Sequence, residues 1–586
     1  METALGVERS LTGRRWAWRP TDARLGAALS QRLGLPELAG RVLAARGIGI
    51  EAAEQFLQPT LRALLPDPSV LTDMDAAAAR LADAAQRGEQ LAVFADYDVD
   101  GACSGALLVR ALRALGCEVT PYVPDRIAEG YGPNAPAIAR LIAAGHTLVV
   151  CVDCGIAAHE ALAEADGRAE VVVLDHHIAE APPPAVRAAV NPNRLDDRSG
   201  LRQLCAAGVA FLAAVATQRE LRRRGFFANR PEPDLRALLD LVALATVCDV
   251  VPLLGVNRAF VTQGLKVMAG RARPGLNALL EVAGNRDAPS AHTLGYVLGP
   301  RINAGGRISA PDLGLRLLVE EDPVEARAMA ERLDAVNRQR QEVEAGVLAA
   351  AMDQAEAQRA AGHAVLLVSG AGWHPGVVGI VAGRIRERFN RPACVAGVAE
   401  GLAKGSGRSV PGLDLGAAII AARQRGMLKA GGGHAMAAGF TVAAEALGAL
   451  HAHLDERLAA AADLPGAAEM LLDGALTARG ATPDAAEALS RLGPFGAGHD
   501  EPVLALTRVR VVKASLVGKA GTTLRAFVEG EDGGRVKALC FRARETPLEA
   551  ALLRPGSPMH LCGTLKPDSW GDTPGASFMI QDIAPA

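Results

Sequence analysis

Three short stretches concentrate groups able to bind a cation or move a proton. ADYDVDG carries Asp96, Asp98 and Asp100, CVDCG carries Asp153, and LDHH carries Asp175, His176 and His177. Two carboxylates about 4 Å apart repel by about 4 kcal/mol at an effective dielectric near 20. If these groups converge, they must be protonated, splayed apart or neutralised by cations. Carboxylates with one or two imidazoles suit Mn2+ or Mg2+ better than thiolate-seeking ions. Two such ions roughly 3.5–4 Å apart are the usual arrangement for phosphoester hydrolysis. Taken singly, each piece has a plainer reading. DYDVDG fits an acidic turn or a fragment of a calcium loop, although a strand rather than a helix precedes it. Asp153 fits a helix N-cap, and adjacent histidines fit a satisfied surface pair. The weight lies in the combination.

Whether the groups can meet depends on the elements that carry them. Between about 75 and 175, QLAVFADYD, EVTPYVP, TLVVCVD and EVVVLDHH read as strands. DAAAARLADAAQRGE, GACSGALLVRALRALG, APAIARLIAAG and AAHEALAEAD read as helices between them. That alternation predicts a parallel sheet with crossover helices. Ligands of such sheets bind beyond the carboxyl ends of the strands, where all three stretches fall. GYVLGPRINAGGRIS reads as a loop system rich in Gly and Arg. A long helix is expected from an N-cap at Asp322, with Pro323 and Glu325 in its first turn, to about Gly362. Roughly 40 residues at 1.5 Å each make a connector of about 60 Å, with Gly346 as a weak point. HAVLLVSG opens a second α/β unit that ends near GGGHAMAAGF. From about residue 500, five β segments fit a small barrel such as an OB-fold. Residues 1–45, Arg-rich with two tryptophans, are expected to pack on the first domain.

The 586 residues are half apolar, enough for several domains. No apolar run is long enough to predict a membrane span, and the first twenty residues lack the apolar core of a secretory signal. A net charge of −3 argues against a protein coated in positive charge, but permits a local basic groove. Nine cysteines, an odd number, fit reduced thiols and a cytoplasmic protein. Cys151 and Cys154 have redox or zinc spacing, yet no second such pair exists and the two point to opposite faces of a strand. Cys248 reads as a small buried residue.

ADYDVDG, CVDCG, LDHH and ATVCDVVP, in this order, resemble the four motifs of the DHH phosphoesterase superfamily. The resemblance implies that Asp96, Asp98, Asp153, His176 and Asp249 bind two divalent ions, Mn2+ or Mg2+. It implies that His177 faces the scissile phosphate and that Asp175 orients a histidine. Asp100 stands between a site role and shaping the turn before Gly101. Ala92 occupies the position where the pyrophosphatase branch carries a histidine, which points to the nuclease branch; Ala95 replaces a more usual Gly. KGSGRSV, GGGHAMAAGF and WHPGVVG are similar to the DHHA1 domain that accompanies DHH domains, and LGPFGAGHDEP resembles a junction motif of the nuclease branch, with His499 and Asp500 in place of Asn-Pro. The fold expected is α/β: a parallel-sheet DHH domain joined by a long helix to a DHHA1 α/β domain, then a C-terminal OB-fold β-barrel. The boundaries expected are 1–45 for the extension, 46–315 for DHH, 316–362 for the connector, 363–462 for DHHA1 and 463–586 for the barrel.

Phosphate contacts are expected from Arg126 and Tyr131 in RIAEGYGPN and from Arg301, Asn303 and Arg307 in GPRINAGGR, since Arg offers a bidentate fork. A structural loop with solvated arginines, and a core position for Tyr131, are the competing readings. By resemblance, Ser406, Arg408 and His434 hold a 5′-terminal phosphate, and His374 is structural or substrate-adjacent. Arg508, Arg510, Lys513, Lys519, Arg525, Lys537, Arg542 and Arg544 suit either a single strand or an ordinary solvated barrel face. The activity implied is 5′→3′ exonuclease action on single-stranded DNA in repair and recombination, by a monomer. A single-strand-binding protein and a RecQ-type helicase are the implied protein partners. Two rival readings are a DHH/DHHA1 phosphodiesterase for oligoribonucleotides or cyclic dinucleotides, opposed by the connector and barrel, and a non-catalytic replication scaffold, opposed by the retained repulsive acids.

Overall fold

The computed structural model describes residues 1–125, 129–179, 181–464, 469–518, 521–554, 556–568 and 575–586. They fall into two compact units, one of residues 55–339 with 494–500, the other of 1–54 with 340–493 and 501–586. The chain opens with a short strand, β1 (Trp16–Trp18), which belongs to the second unit.

The first unit is built on β2 (Gln90–Ala95), β3 (Glu118–Tyr122), β4 (Leu148–Val152), β5 (Glu170–Leu174) and β6 (Ala188–Val190). All pair in parallel, in the order β3-β2-β4-β5-β6. β4 is buried at every residue, as a strand covered by helices on both faces must be. The sequence pattern predicts the first four strands; β6 is too short to stand out. Because the second strand lies outside the first, the topology reverses between β2 and β4. An open α/β sheet binds its ligand at the carboxyl side of that switch point.

GPRINAGGRIS is not a loop. Gly299–Ile308 is an α-helix, entered through a π-helical turn, Thr293–Leu298. Its glycines serve close packing rather than flexibility. A Cβ on Gly306 would stand 2.7 Å from the Tyr97 carbonyl oxygen. The long helix, Pro323–Ala360, follows expectation. Asp322 caps it, its Oδ1 accepting from the amides of Val324 at 2.7 Å and Glu325 at 3.3 Å. Its 38 residues span about 57 Å. Ala326, Ala330 and Leu333 enter the core of the first unit, while Val347, Ala351 and Ala355 enter a core of the second.

In the second unit β7 (Leu366–Ala371), β8 (Ala393–Ala399), β9 (Leu402–Arg408), β10 (Ala430–His434) and β11 (Ala437–Ala443) form one mixed sheet, ordered β10-β11-β9-β8-β7. Beyond it come β12 (Met470–Leu472), β13 (Gly474–Leu476), β14 (Leu504–Val517), β15 (Thr523–Gly530), β16 (Arg535–Cys540), β17 (Met559–Asp568) and β18 (Gly575–Pro585). The five long strands are the predicted β segments, and pairing of β14 with β17 closes them into a barrel.

The N-terminal extension departs from expectation. β1 pairs in parallel with β12, and Trp16 is fully buried with Leu472, Ala505, Cys562 and Ala584. Trp16 Nε1–H donates to Asp582 Oδ2 at 3.0 Å. The carboxylate of Asp473, buried at the barrel's edge, meets Arg19 at 3.0 Å and Arg46 at 2.7 Å. The extension packs on the barrel because the barrel's buried acids need its cations and indole N–H. The junction motif also differs. Pro494–Asp500 groups with the first unit, where Leu253 N–H donates to the Ala497 carbonyl at 2.8 Å. His499 packs against Phe56 and Phe495 at 4.9 and 5.2 Å between ring centroids.

Candidate metal centre

Asp96 follows β2, and Asp98 caps the helix Val99–Ala114, accepting from Gly101 N–H at 3.0 Å. The turn is tight: a Cβ on Gly101 would lie 2.3 Å from the Asp96 carbonyl oxygen. Asp153 follows β4 in the left-handed region, at φ 59°. Aspartate tolerates that conformation better than most residues, and held strain of this kind clusters at functional sites. His176 and His177 follow β5.

These groups converge. Carboxylate oxygens of Asp96, Asp98 and Asp153 lie within 4.8 Å of one another. His176 Nε2 is 3.3 Å from Asp153 and 3.7 Å from Asp100, and its Nδ1 is 3.8 Å from Asp249. Asp249 reaches the cluster from the end of the helix Leu239–Cys248. Burial, then repulsion from Asp100, Asp98 and Asp96, drives the Asp153 carboxyl well above its usual range. Burial, with Asp100 and Asp98, pushes Asp249 up to about 8. Acids this close and this dry are unfavourable without positive charge among them. The donor set of several carboxylates and one or two imidazoles fits Mn2+ or Mg2+.

The surroundings fix these donors. Asp175 is fully buried and bonds His177 Nδ1 at 2.8 Å, the amides of His176 and His177 at 2.7 and 3.2 Å, and that of Ile156 at 3.1 Å. Burial opposes a charge on His177, yet the hydrogen bond and charge of Asp175, with Asp249 and Asp96, outweigh it and hold the imidazole at about 9. Asn191 and Asn193, just past β6, donate to the carbonyls of His177 and His176 at 2.8 and 2.6 Å. Sequence reasoning did not single these two out; the one signal was the NPN run after a short apolar stretch. Asp100 does not shape a turn. It lies in the Val99–Ala114 helix and accepts from Ala206 and Ala207 at 2.6 and 2.8 Å, capping the helix Ala206–Arg223 with a charge at its positive end.

Tyr131 is 54% exposed, so it is no core residue. Its hydroxyl donates to the Asp153 carbonyl at 3.1 Å and lies 3.3 Å from both ring nitrogens of His177. Tyr97 packs edge-on against it. Arg126 lies outside the described residues. Arg301 is held within the protein, by Asp334 at 3.0 Å and the Val297 carbonyl at 2.7 Å. Asn303 and Arg307, half-buried, lie one turn apart on the helix that packs on Tyr97.

In the second unit, Ser406 and Arg408 are on β9 and His434 ends β10, all carried by the β9–β11–β10 sheet rather than by loops. Arg408 Nη1 donates to Ser406 Oγ at 3.1 Å. His374 caps the helix Pro375–Phe389, its Nδ1 accepting from Gly376 N–H at 3.0 Å. Another group of possible metal donors, His363, His451 and Asp455, is engaged in tying the helix Leu447–Arg457 to the start of β7: Asp455 accepts from Val365 N–H at 2.8 Å and bonds His363, and His451 donates to the Val365 carbonyl at 2.7 Å. Cys151 and Cys154 are buried free thiols, and no metal-capable group among the described residues includes a cysteine. In the barrel, Arg508 pairs with Glu531 and Lys537 with Asp568, while Lys519 lies outside the described residues.

Residues 90–246 match the DHH family, N-terminal domain, 360–460 the DHHA1 domain, and 472–582 the RecJ OB domain. The single-stranded-DNA-specific exonuclease RecJ of Dickeya dadantii is 40% identical over 514 residues, which are 85% of this chain and 88% of that protein. RecJ of Thermus thermophilus in complex with Mn2+ aligns with a TM-score of 0.80 at 30% identity, over 97% of this chain and 79% of that one. The same protein in complex with Mg2+ aligns at 0.74 with 28% identity, over 97% and 78%.

Proposed function

This chain belongs to the RecJ family of single-stranded-DNA-specific exonucleases, and from that premise we propose that it degrades single-stranded DNA from the 5′ end with two divalent ions, Mn2+ or Mg2+. The observation that carries the proposal is the convergence of acids and histidine from three strand ends and one helix end into adjoining, largely buried groups at the switch of the sheet. Asp96, Asp98, Asp153, His176 and Asp249 would hold the ions. Bound divalent ions supply Lewis-acid activation of water and of the phosphodiester. His177, steered by the buried Asp175, donates to a non-bridging phosphate oxygen where negative charge builds. Arg307 and Asn303, carried on the helix that packs on Tyr97, meet the same phosphate, while Arg301 is held away from it by Asp334 and the Val297 carbonyl.

Exonucleolytic action is assigned to Ser406, Arg408 and His434 as the receptor of the 5′-terminal phosphate. The support is the guanidinium and hydroxyl bonded side by side close to Gly379 in the second turn of the Pro375–Phe389 helix. By family resemblance we extend the proposal to a cytoplasmic monomer acting in DNA repair and recombination beside a single-strand-binding protein and a RecQ-type helicase. The test is digestion of end-labelled single and double strands, with and without a 5′-phosphate, in Mn2+, Mg2+ or chelator. Mononucleotides released from the 5′ end of single strands only, and only with metal, are expected. Cleavage in chelator, or equal attack on duplex, would overturn it.

A further inference from the structure

The chain has only four tyrosines. Tyr97 and Tyr131 stand over the acids, and Tyr122 packs on Phe94 and bonds Glu129. The fourth, Tyr296, is 75% exposed, so its ring contributes little to the fold. It is nonetheless held in place. Its ring stacks on that of His292, centroids 4.8 Å apart at 26°, so one face is backed and the other is open. Both rings belong to the π-helical turn at Thr293–Leu298 or its cap. Such turns are rare in helices and recur at functional sites.

The turn is anchored at both ends. Ser290 and Thr293 cap each other, Ser290 N–H donating to Thr293 Oγ1 at 3.1 Å and Thr293 N–H to Ser290 Oγ at 3.3 Å. The Cys248 thiol donates to the Leu294 carbonyl at 3.4 Å. Gly295 and Gly299 let the turn lie directly on Val247 and Cys248. Cys248 precedes Asp249, so the turn that carries Tyr296 packs against the end of the helix that brings Asp249 to the cluster. Arg301, ion-paired with Asp334, also bonds the carbonyl of Val297, the residue after Tyr296, and so ties down the end of the same turn.

An exposed aromatic ring, backed on one face by an imidazole and carried by a turn packed against the helix that ends at Asp249, has the features of a stacking site for unpaired bases. Resting on the exonuclease reading above, we propose that Tyr296, backed by His292, stacks on a nucleobase of the substrate strand a few nucleotides from the scissile phosphate. The subsite is tolerant of sequence, since every base has a π-face, and it excludes duplex, whose faces are occupied. His292 is a positioning residue that holds the ring ready and lowers the ordering cost of binding.

The test places 2-aminopurine, then an abasic nucleotide, at successive positions of a 5′-phosphorylated single strand, with chelator present to stop hydrolysis. In the parent protein, one position is quenched on binding. Tyr296→Ala is expected to abolish that quench and weaken binding about five- to a hundredfold, Tyr296→Trp to restore both, and an abasic nucleotide at that position to make parent and Tyr296→Ala bind alike. The exposed site predicts an unchanged melting midpoint. If Tyr296→Ala binds within twofold of the parent and keeps every quench, the proposal fails. That failure is separable from failure of the exonuclease reading, which is scored on the parent's own metal-dependent digestion.

Discussion

At the level of single residues, the acids at the strand tips are set against each other until cations arrive. Asp153→Asn should therefore do two opposite things. Asparagine keeps the left-handed backbone and removes an acid whose ionisation is opposed by burial and by its neighbours. The chelator-treated protein should melt higher, by about 1 kcal/mol or about 2 °C, while activity and the rise in melting temperature on adding Mn2+ are lost. A lower metal-free midpoint would show that the carboxylates are not a repulsive set. A pH dependence follows from Asp249, raised to about 8 in the folded metal-free protein from an ordinary value of about 3.9. A carboxyl raised by folding stabilises while protonated, so its contribution is complete below about pH 4 and is lost as pH climbs through 8. The gap between chelated and Mn2+-loaded melting temperatures should thus widen from pH 5 to pH 8; a constant gap would refute the assignment. Asp175→Asn should lower kcat by about 10–100-fold with Mn2+ uptake retained, because it releases His177 rather than a ligand. Asp96, Asp98, Asp153 and His176 were legible in the sequence because each sits at or just past a strand tip beside an apolar run; Asp249, at a helix end, was named only through the family resemblance. Asn191, Asn193 and the anchoring role of Asp100 were not, because their partners are backbone groups that only the tertiary fold brings near.

At the level of elements, the sequence pattern foretold the strands that lead into Asp96, Asp153 and His176 and every long barrel strand, since buried parallel strands and alternating barrel strands leave clear marks; it did not foretell β9 and β10, whose glycines hide them. It misread GPRINAGGRIS, because glycine signals both a loop and a helix pressed against backbone. The two glycine roles can be told apart by substitution. Gly306→Ala should push the Gly299–Ile308 helix off the Tyr97 carbonyl, costing about 1–3 kcal/mol and most of the activity. Gly346→Ala, in an exposed stretch of the long helix with nothing within 4 Å, should stabilise by roughly 0.5–1 kcal/mol. Denaturant melts of the two variants check both signs.

At the level of the whole molecule, composition and periodicity placed the α/β units and the barrel in order, but said nothing reliable about which distant segments meet. The extension's destination was hidden because its partners, Asp473 and Asp582, are ordinary acids more than four hundred residues away. Trp16→Ala should cost about 3–5 kcal/mol. Hydrogen exchange should show that loss in the strands of 470–586 and leave β2–β6 protected; uniform loss across both would contradict the packing described. The closure of β1 onto β12 and of Trp16 onto Asp582 also sets a schedule for synthesis. An indole that precedes its partner by 566 residues must wait, bare on that side, until residue 582 has left the ribosome. Any copy whose translation stalls short of that point leaves the indole without its acceptor and exposes the apolar surface that makes incomplete chains prone to aggregate.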